Sequence, residues 1–339
     1  MTDPGSALLL FGIIVAVMLF LFLPKIGLRA QWHRARRGRK RILIEDALKH
    51  IYDCEYKNII CTTESIAGTL LISTDESAKL LTRLTAMGLL VTSDNGVKLT
   101  ADGKSYALRV IRVHRLWERY LADETSVPPT EWHSSAELAE HQLTEAQTEA
   151  LAAQIGNPKF DPHGDPIPTP SGEMPPKKGK SLLSMNSGEF ALITHIEDEP
   201  EAVFAQLVAQ GLYVGMQVMM IERSNERIRF AADGEEIILA PLLTNNITVA
   251  PITEEEHKIT APLESLASLK IGEAANILSI SKAMRGQQRR RLMDLGVVPG
   301  TVIRAEMVSA SGDPVAYSIR GALVALRQQQ TNLIFIQRQ

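Results

Sequence analysis

Two short stretches of this sequence carry histidine and carboxylate side chains at helical spacing. The candidate ligands are His114, Glu118, His133, Glu137, Glu140 and His141. Residues four apart on a helix project from one face, with about 5–6 Å between their Cβ atoms. Imidazole nitrogens and carboxylate oxygens are common ligands of divalent transition metals. The spacing therefore predicts a metal site on two helices, built without a cysteine.

The composition is that of a globular protein with several domains. The chain has 339 residues, 45% of them hydrophobic and 22% charged, and its net charge is −3. At roughly 150 residues per domain, this length predicts two or three domains. Its two cysteines, Cys54 and Cys61, fit neither a disulfide framework nor a CxxC zinc motif, which indicates a reducing compartment. Because the sequence has no nucleophile constellation and no phosphate-binding loop, we expect no enzymatic activity.

An uncharged run at residues 6–24 is long enough to cross a hydrocarbon core of roughly 30 Å. A signal peptide would have positive charge before the run and a small-residue cleavage site after it, whereas here Asp3 precedes it. The run is followed by Lys25, Arg29, Arg34, Arg36, Arg37, Arg39, Lys40 and Arg41. The positive-inside rule therefore predicts a single-pass protein of the bacterial inner membrane, with its C-terminal domains in the cytoplasm. The basic segment could also contact nucleic acid, but topology and anionic headgroups explain it more simply.

Residues 42–103 show the element order of a winged helix-turn-helix. Apolar residues recur at helical spacing from Ile42 to Tyr56, and two further helices are expected before residue 88. Asn95-Gly96 between two apolar runs is a strong hairpin signal. In this motif the third helix enters the DNA major groove. The candidate DNA-binding residues are Ser73, Thr74, Lys79, Arg83 and Lys98.

Two acidic residues at the start of the third helix leave DNA binding open. Asp75 and Glu76 stand where a DNA reader would present small polar or basic groups. Acidic residues in a first helical turn also favour the positive end of the helix dipole, by about 0.3–1 kcal/mol each. That second explanation accounts for the acidic residues without supporting DNA binding.

The rest of the chain changes from helices to short β-type runs. Residues 156–179 hold seven of the 17 prolines, which predicts a linker. The segments 205–218 and 290–303 share the order helix end, Leu, Gly, turn, Gly and strand, so we interpret them as parts of an internal repeat of two small β-barrels. The predicted domains are an anchor at 1–24, a basic linker at 25–41, the winged helix at 42–103, a helical domain at 104–156, a linker at 157–180, a β domain at 181–253, a linker at 254–261 and a β domain at 262–339.

With these motifs in view, the chain resembles the diphtheria-toxin-repressor family of metal-dependent regulators, which includes the manganese transport regulators. The resemblance covers about residues 42–253. Residues 262–338, with RRRLMDLGVVPGT and GDPVAYSIRGALVALR, are similar to the ferrous-iron-transport protein A (FeoA) domain, an SH3-like barrel. The resemblance implies a winged helix-turn-helix, a helical dimerisation domain and two SH3-like barrels. With the N-terminal transmembrane helix predicted from the uncharged run, the expected fold is multidomain.

The resemblance also implies the ligands of two neighbouring metal sites. His114 and Glu118 match the family's HRLxE helix, and the other four candidates match its H-x3-(C/E)-x2-EH helix. A further ligand comes from the first helix, where Glu45 or Asp46 stands. His195 and Asp198 match two ancillary ligands from the third domain. His163, in DPHGDP, is more simply a turn residue than a ligand.

The residue at position 137 bears on which metal is bound. Iron-type members of the family usually have Cys there and manganese-type members have Glu, as this chain does. Because carboxylate and imidazole suit Mn²⁺ or Fe²⁺, we expect one of these as the cofactor. The resulting hypothesis is a membrane-anchored homodimer that regulates transcription in response to metal. The alternative is a tethered metal sensor, or accessory subunit of a ferrous iron or manganese transporter, that does not bind DNA specifically.

Overall fold

The computed structural model describes residues 28–93, 96–177, 179–232, 235–252, 264–281 and 283–338. The chain divides into two compact units, residues 1–111 and 112–339. The first unit is mainly helical, and the second begins with helices and continues with two β-sheets.

The first unit has the winged helix-turn-helix order. Its elements are α1 (Leu28–Tyr56), α2 (Thr63–Thr69), α3 (Thr74–Ala86), β1 (Leu90–Ser93), β2 (Gly96–Leu99) and the start of α4 (Ala101–Glu124). The strands β1 and β2 pair antiparallel, with Leu90 opposite Leu99. Ser73 and Glu76 form a capping box that begins α3, and Leu80, Leu81 and Leu84 are its buried apolar residues.

Helix α1 begins earlier than the apolar pattern predicts. We expected it from Ile42, where the apolar periodicity starts, whereas it begins at Leu28. The added segment is rich in Arg and Lys, which are good helix formers although they supply no apolar stripe. The helical propensity of this segment therefore extends α1 on the N-terminal side of Ile42, where there is no apolar pattern from which a helix could be predicted.

The location predicted from the sequence needs correction. In the part of the chain that the structure describes, every helix is too short or too polar to span a bilayer. We correct the predicted single-pass location in the bacterial inner membrane on that finding. The predicted span itself, residues 6–24, lies outside the described residues.

The second unit opens with a small helical core. The end of α4 packs with α5 (Trp132–Glu140) and α6 (Glu145–Gln154). The buried side chains of this core are Leu116, Leu151, Ala152 and Ile167. Arg112 joins three segments, because its guanidinium donates twice to the Glu149 carboxylate at 2.9 Å and once to the Pro168 carbonyl at 2.7 Å. These bonds hold the proline-rich segment, which was predicted as a linker, against the helices.

The two β-sheets that follow have the same topology, as an internal repeat predicts. The first contains β3 (Lys180–Ser181), β4 (Phe190–Ile196), β5 (Gln217–Arg223), β6 (Ile228–Ala232), β7 (Glu235–Leu239) and β8 (Ile247–Pro251). The second contains β9 (Glu264–Ser265), β10 (Ala274–Ile280), β11 (Val302–Val308), β12 (Val315–Ile319), β13 (Ala322–Leu326) and β14 (Ile334–Arg338). Their orders, β3-β8-β4-β5-β6-β7 and β9-β14-β10-β11-β12-β13, correspond strand by strand.

Corresponding short helices complete each repeat. Helices α7 (Glu201–Ala209) and α9 (Gly286–Asp294) follow the second strand of their sheets, and α8 (Pro241–Thr244) and α10 (Gln328–Thr331) precede the last. Each sheet has its own apolar core, with Phe230 fully buried in the first and Tyr317 in the second. The second repeat also contacts the helices, because Arg290 pairs with Glu124 and the Arg285 guanidinium lies 5.9 Å from the centroid of the Trp132 ring.

Candidate metal centre

Glu118 is the central residue of the candidate site. It lies one turn beyond His114 on α4, and the two are 1% and 6% exposed. The Glu118 Oε1 atom is 3.2 Å from His114 Nε2. Burial by itself would raise the pKa of Glu118, but the neighbouring histidines His114, His133 and His163 hold it well below its usual range. A buried carboxylate kept ionised among imidazoles is a ready ligand for a cation.

His133, near the start of α5, completes the first group of candidate ligands. Its Nδ1 atom lies 3.0 Å from Asp198 Oδ2 and 3.6 Å from Glu118 Oε1. One ligand atom from each of His114, Glu118 and His133 lies within 4.8 Å of the other two. Burial would lower the pKa of His133, but the carboxylates of Asp198, Glu118 and Glu137 raise it to about 12. A cation that binds at His133 therefore displaces a proton, and its affinity rises with pH.

His163 belongs to a second group that the sequence did not indicate. Its ring is 2% exposed, and its Nε2 atom lies 3.7 Å from Glu118 Oε1 with no hydrogen-bond partner among the described residues. Glu118, His163 and Asp198 again place one ligand atom each within 4.8 Å of the others. A buried ring nitrogen directed at an ionised carboxylate fits a metal bound between them.

The loop that carries His163 is fixed by its neighbours. The His163 and Asp165 amides both donate to Asp161 Oδ1, at 2.9 and 2.8 Å, and the His163 carbonyl accepts from the Ile196 amide at 2.9 Å. The His163 ring meets Trp132 and, edge-on, Phe204, with centroids 5.6 and 4.9 Å away. His163 is therefore both the turn residue that we expected and a candidate ligand.

Gly164 allows this loop to approach the sheet. Its φ is +96°, and a Cβ atom built there would lie 2.0 Å from the carbonyl oxygen of Thr194. We predict that Gly164→Ala destabilises the protein by about 1–3 kcal/mol more than Gly211→Ala in urea unfolding, because both change a left-handed residue but only the first meets backbone. Gly211 has φ +75° and open space around its Cβ position. Equal effects at the two positions would contradict the close approach.

The two predicted ancillary ligands lie in different surroundings. Asp198 is part of the second group of candidate ligands; burial would raise its pKa, but the neighbouring imidazoles of His133 and His163 hold it below the usual range. His195 instead places its Nε2 atom 3.2 Å from Asp165 Oδ2. The pairing of β4 with β8 shifts register between Ile193 and His195, and such a bulge changes the direction of nearby side chains.

The end of α5 carries the remaining predicted ligands of the second unit. Glu140 is 4% exposed and its Oε2 atom contacts His114 Nδ1, while His141 Nε2 lies 3.7 Å from Glu140 Oε1. Glu137 is more exposed, with Oε1 3.5 Å from His133 Nε2. Helix α5 ends at Glu140, so His141 is its C-cap and does not continue the helical face. His114 thus contacts a carboxylate through each ring nitrogen.

Glu45 and Asp46, the predicted ligands from the first helix, lie on α1 in the first unit. Glu45 is 5% exposed, and its Oε1 atom accepts from the Tyr106 hydroxyl at 2.8 Å and lies 3.2 Å from Arg41 Nε. Asp46 is partly buried. Their role as ligands stays a prediction.

The predicted DNA-binding residues lie on α3 and the β-hairpin. Ser73, Thr74, Lys79, Arg83 and Lys98 are all exposed. The two acidic residues have local partners: Asp75 Oδ2 lies 2.5 Å from Lys79 Nζ, and Glu76 completes the capping box with Ser73. The local pair with Asp75 offsets the positive charge of Lys79, so Arg83 and Lys98 become the more important candidates for phosphate contacts.

Comparison with known proteins identifies two segments of this chain. Residues 100–169 match the family described as "Iron dependent repressor, metal binding and dimerisation domain", and residues 264–338 match the FeoA domain. The chain is 35% identical over 122 residues to the iron-dependent repressor IdeR of Mycobacterium tuberculosis. That match covers 36% of this chain and 53% of IdeR, so the chain spans about half the length of this relative.

Longer matches are weaker in identity. The diphtheria toxin repressor of Corynebacterium glutamicum is 25% identical over 217 residues, covering 60% of this chain and 94% of that protein. A manganese-dependent transcriptional repressor solved in complex with manganese superposes with a TM-score of 0.57 and 26% identity, over 61% of this chain and 99% of that chain. These relatives are named as repressors and not as enzymes.

The resemblance predicted from the sequence is confirmed. The chain is related to the metal-dependent repressors of the diphtheria-toxin-repressor and manganese-regulator type, and it carries a C-terminal FeoA domain. Its fold is a helical winged helix-turn-helix and dimerisation region followed by β-sheet domains. The predicted cofactor, Mn²⁺ or Fe²⁺, agrees with the metals in the names of these relatives.

Proposed function

We propose that this protein is a transcriptional regulator that binds DNA as a homodimer when Mn²⁺ or Fe²⁺ occupies its metal centre. One observation carries the proposal. Glu118, an ionised and buried carboxylate, belongs to two groups of metal-binding side chains within the second unit. Glu118 and all the candidate histidines of these two groups fall inside the segment that matches a metal-binding and dimerisation domain.

The donor atoms favour a hard or borderline metal. His114, Glu118 and His133 would hold one cation, and His163 and Asp198 would share Glu118 with it or hold a second. All of these donors are nitrogen or oxygen, a set that suits Mn²⁺ or Fe²⁺. A bound cation would offset the repulsion between the buried carboxylates, and the imidazoles would coordinate it through their nitrogen lone pairs.

Metal binding would also join two parts of the second unit. Asp198 follows β4 in the first sheet, whereas His133 and Glu118 are on α5 and α4. A cation held by all three stabilises the conformation in which helices and sheet lie together. By population shift, the metal would favour the conformation that binds DNA. In winged-helix dimers, the spacing of the two recognition helices then determines the spacing of the half-sites.

Selection of genomic fragments by the full-length chain, with Mn²⁺ and with a chelator, tests this function. We expect specific fragments to be retained only with Mn²⁺, at affinities of about 10⁻⁸ M or tighter. Retention of every fragment alike, at about 10⁻⁴–10⁻⁶ M, would show non-specific binding and overturn the proposed regulation of transcription.

Arg83→Ala tests which surface contacts the DNA. Because Arg83 is exposed on α3, this change should weaken binding to all sequences alike and reduce the slope of log affinity against log salt by about one unit. Arg291→Ala, which removes the same charge from α9 in the FeoA domain, is the matched control and should leave the slope unchanged. An equal change of this slope in both variants would mean that the slope reports the net charge of the protein and not a contact between Arg83 and DNA.

A further inference from the structure

A further group of side chains that could bind a metal lies in the first unit. His50 and Cys54 are one turn apart on α1, and Cys61 lies in the segment that leads into α2. Both cysteines are free thiols and each is 3% exposed. One imidazole nitrogen and the two sulfur atoms all lie within 4.8 Å of one another. The centre proposed above contains no sulfur, so this group calls for a different metal.

The surrounding hydroxyl groups orient the His50 ring. Its Nδ1 atom is 3.3 Å from Thr69 Oγ1, and its Nε2 atom is 3.7 Å from Cys54 Sγ. If Nδ1–H donates to the Thr69 hydroxyl, the lone pair of Nε2 is directed towards Cys54 Sγ and the Ser65 hydroxyl. A hydrogen bond that selects the tautomer and direction of a ligand histidine is a regular feature of zinc sites.

The distance between the Cys54 and His50 ligand atoms is compatible with one zinc ion bound to both side chains. With Zn–S of about 2.3 Å and Zn–N of about 2.0 Å at a tetrahedral angle, sulfur and nitrogen ligands lie about 3.5 Å apart. The Cys54 Sγ to His50 Nε2 distance of 3.7 Å is close to that value. Ser65 Oγ lies 2.9 Å from His50 Nε2 and 3.7 Å from Cys61 Sγ, beside the three ligands.

We propose that His50, Cys54 and Cys61 bind a thiophilic divalent cation of the zinc class. Two thiolates and one neutral imidazole balance a charge of +2, so the complex is neutral, which suits a buried position. Each thiol would lose its proton as the cation binds, because the thiolate is the form of cysteine that coordinates a metal.

This site would stabilise the winged helix itself. Thr62, which follows Cys61, caps α2, and the Cys61 carbonyl accepts a 3.5 Å hydrogen bond from the Val97 amide of β2. A cation that joins α1 to Cys61 therefore restrains the start of α2 and one strand of the hairpin together. The role is structural and independent of the metal that the repressor-like centre takes.

Spectroscopy with Cd²⁺ tests the proposal, because sulfur-to-metal charge transfer reports thiolate ligands alone. The full-length chain is stripped of metal, kept reduced and titrated with Cd²⁺. We expect a thiolate band that saturates at one equivalent, that persists in Glu118→Gln and that disappears when Zn²⁺ displaces the probe. Cys54→Ser and Cys61→Ser should each remove the band.

A further variant keeps the test independent of folding. His50→Gln retains both thiols and should weaken Cd²⁺ binding at least about tenfold, as loss of a ligand does. Circular dichroism of each metal-free variant shows whether its fold is retained. Absence of a thiolate band in the wild-type chain, or a band that survives in Cys61→Ser with the fold intact, would overturn the site.

Discussion

Replacing Glu118 with Gln is expected to lower Mn²⁺ affinity by more than about 100-fold. Changes to residues that only support a ligand typically cost 10–100-fold, and Glu118 belongs to both ligand groups of the second unit. Gln keeps the shape of the side chain but removes the negative charge that balances the cation. Electron paramagnetic resonance of free Mn²⁺ measures the loss directly.

Glu145→Gln is the matched control for this change. Glu145 is exposed in the first turn of α6 and makes the same exchange of carboxylate for amide on the surface. We expect its Mn²⁺ affinity to equal that of the wild type. If Glu118→Gln also binds Mn²⁺ normally, Glu118 is not a ligand and the proposed centre is wrong.

The second large effect is expected at His163. Its Nε2 atom points at Glu118, so His163→Ala should lower Mn²⁺ affinity by about 10–100-fold. His195→Ala should have a much smaller effect, because His195 is paired with Asp165. The comparison is informative because the sequence favours His195 as a ligand whereas the structure favours His163.

Isothermal titration calorimetry of both variants decides between the two histidines. A loss of one binding equivalent in His163→Ala would show that Glu118, His163 and Asp198 hold a cation of their own. A loss of affinity without a loss of stoichiometry would place His163 in a single shared centre. A larger loss in His195→Ala than in His163→Ala would contradict the arrangement described here.

The sequence alone was sufficient where the relevant geometry is local. Residues four apart on a helix share a face whatever the rest of the chain does. That rule brings His114 to Glu118 and His133 to Glu137, and the contacts are 3.2 and 3.5 Å. The element order of the winged helix could be predicted for the same reason, because helix caps and hairpin turns depend on residues that are neighbours in the sequence. The repeated pattern of the β-rich segments predicted an internal repeat of two small β-barrels, and the structure has two β-sheets of one topology there.

Sequence patterns are not sufficient where contacts between distant parts of the chain decide the structure. The predicted membrane location is corrected on separate evidence, because the described helices are too short or too polar to span a bilayer. The proline-rich segment suggested a linker, yet Arg112 and Arg115 bind its carbonyls at Pro168 and Pro166. The spacing of prolines in a loop does not show which arginine side chains elsewhere in the chain will donate hydrogen bonds to its carbonyl oxygens.

The sequence by itself thus determined the helical pairs of candidate ligands, the types of donor atom and the kinship with metal-dependent repressors. Only the tertiary structure decided which distant residues join them. His163 reaches Glu118 across 45 positions of sequence because Gly164 lets its loop touch the strand that carries Thr194. His195 turns to Asp165 at a β-bulge, whereas Asp198 meets His133. These contacts depend on tertiary packing. Two side chains that are distant in the sequence can meet only where the backbone segments that carry them lie close together, and spacing along the chain does not show this.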